Sequence, residues 1–246
     1  MAFNAAQYEA TTQKLTTGIQ TLSEKVNQVG PKAESTANHW YVPDFIGDAL
    51  IWAANKVIEF GNWVLGKLKE LMEGVAAPVY MAIHTWTWQS DIRGGASGVA
   101  GTTTADQLQS LKHWTGEAAT SYTNAVKAQP IAAAKIGTTA DKVATGLALC
   151  TTAGAAFYVS LAVILAQYIV TMIGAIAALG SVVFSWAGAA LIVGDTSVSV
   201  GYIITAVTAL AALLGAQAQQ MAAIEGEARD MTTYPNGHWP VAAPGA

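Results

Sequence analysis

Charge is the scarcest property of this chain. Asp, Glu, Lys and Arg make up 11 % of its 246 residues, against ~25 % in an ordinary soluble domain. The net charge of −4 excludes the basic field that nucleic acid recruits. The single cysteine, Cys150, allows neither an intrachain disulfide nor a thiolate cluster and reads as a small buried hydrophobe. The four histidines, His39, His84, His113 and His238, each lie close to a tryptophan, at separations that fit no metal site. Nucleophile-elbow and phosphate-loop patterns are missing, and the carboxylates are scattered. The expectation is therefore a non-enzyme without cofactor or metal. The first residues, MAFNAAQYEATTQKL, have no basic start and no apolar core of the signal-peptide kind. The chain is expected to stay inside, to leave by a route that reads a folded motif, or, as a membrane protein, to use its internal apolar segments as the insertion signal.

What the chain has in abundance is apolar sequence, 52 % of all residues. Val143 to Gly194 carries no formal charge, and Asp195 is the one charge between Lys142 and Glu225. A membrane helix needs ~20 mostly apolar residues, so Val143–Gly194 has room for two, with a break expected near Gly180. A second turn is expected at Gly194 and Asp195, followed by a third apolar segment to about Gly215. Ala, Gly, Ser and Thr are frequent here, and small residues let helices approach closely in lipid or in a tight bundle. Insertion into a membrane is the favoured reading. Burial against partner chains and a core within a soluble bundle are the alternatives.

The remainder reads as helix throughout, so the expected class is all-α, a helical bundle carrying a membrane-grade hairpin. Tyr8, Thr12, Leu15, Ile19, Leu22, Val26 and Val29 alternate at spacings of four and three, a helix-pairing stripe that wants a partner helix. Gly30-Pro31 is expected to end that helix. Pro43-Asp44 opens a second, amphipathic one, in which Leu50, Val57, Val64 and Leu71 recur every seven residues. It is expected to cover the hairpin, or to lie in a membrane interface with Trp52 and Trp63. The expected organisation is amphipathic helices over 1–92, a Gly-rich linker at 93–103, a helical hairpin over 104–142, apolar helices over 143–215, a C-terminal helix at 216–231 and a flexible tail at 232–246. Thr104 and Gln107 have the spacing of a capping box for the third part.

Within that third part the order Trp114-x-Gly116-Glu117-Ala118-Ala119-x-x-Tyr122 can reverse the chain between two helices. The glycine permits the reversal, the indole covers the junction, and the alanines let the second helix lie close. This pattern resembles the W-x-G family of type VII (ESX) secretion substrates over about a tenth of the chain. The resemblance implies leaderless export, a helical hairpin turning at Trp114 and Gly116, with Ala118, Ala119 and Tyr122 along its seam, and a helical protein partner or a homo-oligomer. The chain would be an extended member, because short members have no long apolar hairpin. The family's export tag, Tyr-x-x-x-Asp/Glu, is missing: Val126 follows Tyr122 and His238 follows Tyr234 at that spacing.

The function expected from these features is a type VII-secreted, membrane-active protein whose hairpin enters lipid and oligomerises as a pore. The alternatives are an integral structural component of the envelope or secretion apparatus, and the delivery module of a toxin.

Overall fold

The computed structural model describes residues 3–180 and 186–242. It is all-α, with no strand among the described residues. The elements are α1 (Ala5–Ala37), α2 (Asp44–Met72), α3 (Ala77–Thr87), a π-helical turn (Trp88–Ile92), α4 (Arg93–Thr102), α5 (Gln109–His113), α6 (Glu117–Val126), α7 (Ala128–Leu179), α8 (Trp186–Ala228) and a 3-10 turn at Pro235–Gly237. They divide into two compact units. Residues 1–77 and 153–212 form the first, and residues 78–152 and 213–246 the second.

The first unit is built on helices whose buried positions repeat at three- and four-residue steps, the pattern that lets side chains interlock along a seam. On α1, Tyr8, Leu15, Leu22, Val29 and Thr36 are buried at intervals of seven. Of the predicted stripe, Val26 is also buried, while Ile19 and Thr12 are half-buried. On α2 the buried seam is Gly47, Leu50, Ala54, Val57, Gly61, Val64 and Leu68. On the second half of α7 it is Tyr158, Leu161, Leu165, Tyr168, Met172, Ala175 and Leu179. Tyr8 meets Tyr158, Gly18 meets Leu165, and Gly180 lies against Lys32, so α1 and this half of α7 run in the same direction. Val26 packs on Gly61, and Ala37 on Gly47, so α2 runs against them.

Gly61 is a point of close approach between α1 and α2. A Cβ there would sit 2.5 Å from Val26 Cγ2, inside any van der Waals contact.

α1 differs from expectation at its end. It runs through Gly30-Pro31 to Ala37. A proline inside a helix deletes one hydrogen bond and crowds the preceding turn, at a cost of ~3 kcal/mol. Here the further turns bury Ala33 and Thr36, which offsets that cost. The start is as the sequence suggests, because the Asn4 side chain accepts from the Gln7 N–H at 3.1 Å. At the start of α2, Pro43 occupies the capping position and Asp44 is the first helical residue. Its carboxylate suits the positive end of the helix dipole.

In the second unit the expected linker is a helix, α4. Each glycine costs ~1 kcal/mol relative to alanine in a helix. Tertiary contacts override that preference: Ala96 is buried, and Arg93 Nε lies 2.8 Å from the Asp141 carboxylate of α7. The Thr104–Gln107 capping box does not cap a helix either. Thr104 Oγ1 donates to the Gly101 carbonyl at 3.1 Å, and α5 begins only at Gln109. The Thr104 hydroxyl, followed by the Gln107 side chain, instead holds the exposed Asp106 carboxyl below its ordinary value.

The described part of the tail, 232–242, folds back on its own unit. The Tyr234 hydroxyl donates to the Ala132 carbonyl at 2.9 Å, Gln129 Nε2 donates to the Pro240 carbonyl at 3.2 Å, and Pro240 is buried. Thr232 donates from its backbone N–H to Asp230 Oδ1 at 2.9 Å.

Candidate functional site

The apolar hairpin consists of two long helices rather than three shorter segments. α7 is 52 residues long and ends at Leu179. Gly180 follows as a turn whose N–H donates to the carbonyls of Ile176 and Ala177. The remainder of the predicted Gly180 break lies at 181–185, outside the described residues. The second predicted turn is not a turn. Gly194 and Asp195 fall inside α8, which continues without interruption from Trp186 to Ala228. A single Gly costs ~1 kcal/mol in a helix, too little to end one with long apolar stretches on both sides. The separate C-terminal helix expected at 216–231 is the end of the same helix.

Two helical stretches, Glu117–Leu179 and Gly201–Ala228, are long and apolar enough to cross a membrane. Of their most apolar eighteen residues, only 28 % and 6 % are buried. α7 shows why. Its buried seam uses one face of a helix that is apolar on every face. On the other side Ala156, Val159, Val163, Ala166, Val170, Ile173 and Ala177 are all exposed, again at spacings of three and four. Val170 is 69 % exposed and Val163 53 %. A soluble helix normally places charged or polar groups there. Gln167 is the longest polar side chain on that side, and the stretch holds no charge. On α8, Ile203 is buried whereas Tyr202 and Ile204 are exposed.

The buried seam of α7 escaped the sequence reading. Its spacing is present in the residues, but hydropathic contrast is missing because the opposite face is equally apolar.

Where α7 and α8 belong to the second unit, they are tied by charge. Glu227 of α8 pairs with Lys142 of α7, and its other oxygen lies 3.6 Å from Lys135 Nζ. One turn along, Gly146 of α7 sits beside Met221 and Gln217 of α8. These contacts fix the two helices antiparallel at the end where the chain regains charge.

The W-x-G residues form a compact turn. Trp114 ends α5, and Gly116, with φ 92°, precedes α6. A ψ of −168° places Gly116 in a region essentially reserved for glycine, which costs another residue ~1–3 kcal/mol. The Trp114 ring lies 5.8 Å from the Tyr122 ring, centroid to centroid, at a tilt of 50°. Ala119 is buried and Ala118 exposed. The preceding helix α5 has only five residues, so the element before the turn is a single helical turn and not a long hairpin arm. Trp114 is 46 % exposed, which leaves much of its indole available to another molecule.

Comparison with protein-family models, curated proteins and solved structures returned no match.

Proposed function

We propose that this chain is a membrane-active helical protein that is exported by a type VII route and inserts its α7–α8 hairpin into a lipid bilayer, where copies associate as a pore. The observation that carries the reading is the exposed apolar face of α7. Leaving Val159, Val163, Val170 and Ile173 in water forfeits roughly 1.5–3 kcal/mol for each side chain that a lipid or protein neighbour would cover fully. The uncharged length of the two helices matches what a bilayer demands. The small residues between the large ones suit close helix–helix association in lipid. Export by a type VII machinery rests on the Trp114–Tyr122 pattern and its turn geometry.

The test is release of an encapsulated dye from vesicles by the purified chain. The native protein is expected to release it. Val163→Asp with Ile173→Asp is expected to abolish release and keep helix content, because each carboxylate at the bilayer centre costs ~2.5–3.5 kcal/mol. Undiminished release by the double variant, or none by the native chain, rejects insertion through this face.

The same exposed stripe also supports a second reading, a permanently integral envelope component. Fractionation of producing cells separates the two. Chain in the culture fluid supports export, whereas chain confined to alkali-washed membranes supports the integral component.

A further inference from the structure

The connection between α1 and α2 and the first turns of α2 carry aromatic rings that stand exposed. Trp40 is 94 % exposed, Phe45 69 %, Trp52 55 % and Tyr41 46 %. The turn beneath them is firmly held: the His39 N–H donates to the Thr36 carbonyl at 3.3 Å, and the Val42 N–H to the His39 carbonyl at 2.9 Å. The rings of the connection also brace one another. His39 stacks on Tyr41 with centroids 5.3 Å apart, and Trp40 meets Tyr41 edge-on at 5.5 Å. They are held in place, yet contribute little to the bundle core.

Their position gives them a role. Lys32, on the last turns of α1, lies against Gly180 at the end of α7. The aromatic turn and the end of the first apolar helix therefore share one end of this unit. The exposed face of α7 leads to that end through Val170, Ile173 and Ala177. Tyr8 and Tyr158 mark the other end.

We infer that this aromatic turn is the leading edge that docks on the headgroup region of a zwitterionic bilayer and delivers the end of α7 to it. Indole and phenol rings favour that region because each combines an apolar body with a polar handle. An anionic lipid is not what the surface solicits. From Lys32 to Asp48 the formal charges are Lys32, Glu34, Asp44 and Asp48, a net negative edge without the basic collar that anionic lipid attracts. The inference rests on the insertion reading above and adds its direction.

The experiment uses the full chain with Cys150→Ala and one new cysteine carrying an environment-sensitive dye. One variant is Asn38→Cys in the aromatic turn, and the other is Glu9→Cys at the opposite end. Both positions are exposed. Vesicles of phosphatidylcholine, alone or with phosphatidylglycerol, are added, and dye release is followed in the same samples. The dye at position 38 is expected to brighten and shift to the blue on phosphatidylcholine alone, with no gain from phosphatidylglycerol, while the dye at position 9 stays aqueous. Trp40→Ser with Phe45→Ser is expected to weaken vesicle binding about tenfold at unchanged helix content, since interfacial binding scales with the apolar area buried. Release of vesicle contents with position 38 still aqueous overturns the leading edge and leaves insertion standing. The absence of both binding and release overturns insertion and this inference together. A concentration-dependent blue shift at position 38 without vesicles identifies a second copy as the occupant and overturns the lipid assignment.

Discussion

The rings of Tyr8 and Tyr158 meet edge to face, their centroids 5.9 Å apart and their planes at 78°. Both hydroxyls turn to the end of α2. Tyr8 donates to the Val75 carbonyl at 2.7 Å, and Tyr158 to the Leu71 carbonyl at 2.8 Å. Three helices are thereby pinned at one point: the amphipathic α1, its antiparallel neighbour α2, and the apolar α7. The two phenols reach these carbonyls while keeping their rings in the core, and the Leu71 carbonyl also accepts from the Gly74 N–H at 3.3 Å.

Removing either hydroxyl deletes one part-buried hydrogen bond between a core phenol and the chain at the end of α2. Tyr8→Phe and Tyr158→Phe should each destabilise the first unit by about 1 kcal/mol. Tyr8→Leu, Tyr158→Leu and their combination should give a coupling of ~0.5–1.5 kcal/mol from the ring pair. Urea unfolding of the single and double variants measures both. Additive losses would show that the ring contact has no energetic weight.

Alkaline pH should weaken the same junction. Burial, and then the neighbouring Tyr158, push the Tyr8 phenol well above its ordinary value of 10.0. A raised folded-state pKa means that the unfolded chain loses this proton first. The contribution is therefore complete below about pH 10 and falls as pH rises from there toward the folded-state value. Unfolding midpoints measured from pH 8 to pH 11.5 should be level at first and then decline. The decline should be shallower in Tyr8→Phe, and an equal decline in both would remove Tyr8 from the account.

Two glycines of α2 make opposite predictions for the same substitution. At Gly61 an added methyl would lie 2.5 Å from Val26 Cγ2, whereas at Gly66 nothing lies within 4 Å. Gly66→Ala should stabilise by ~0.5–1 kcal/mol through helix propensity alone. Gly61→Ala should destabilise by ~1–3 kcal/mol, because the α1–α2 seam must open. Thermal unfolding of the pair settles the matter, and a stabilised Gly61→Ala would mean that α1 and α2 part easily.

At the Trp114 turn, Gly116→Ala forces a methyl-bearing residue to φ 92°. The expected cost is ~1–3 kcal/mol, with loss of the Trp114–Tyr122 ring contact, visible as a change in the near-ultraviolet circular dichroism of the aromatic residues. Thr115→Ala, which carries no such backbone demand, should leave both unchanged. Secretion of the two variants by the producing cell then tests whether the turn is read by an export machinery. Equal export of both would confine Gly116 to a packing role.

Composition and periodicity carried a large part of this fold. The uncharged run from Val143 to Gly194 demands long helices that bury or insert, whatever surrounds them. The Tyr8–Val29 stripe and the Leu50–Val64 repeat work because apolar and polar residues alternate there with clear contrast, which names the buried face in advance. Gly116 marks a reversal because few other residues accept its backbone.

What only the tertiary structure decided lies where local preferences are weak beside packing. Pro31 and the glycines of α4 are helix breakers by propensity, at ~1–3 kcal/mol each. The burial of Ala33, Thr36 and Ala96 and the Arg93–Asp141 pair favour helix all the same. Gly194-Asp195 has turn chemistry, but the apolar sequence on either side continues as one helix. The choice of face on α7 is the clearest case. Tyr158, Leu161, Leu165, Tyr168 and Met172 are no more apolar than the residues behind them, so no periodicity in hydropathy can distinguish the two sides. Only the arrival of α1 and α2 against one side does so, and the side they leave uncovered is the one from which the proposed function follows.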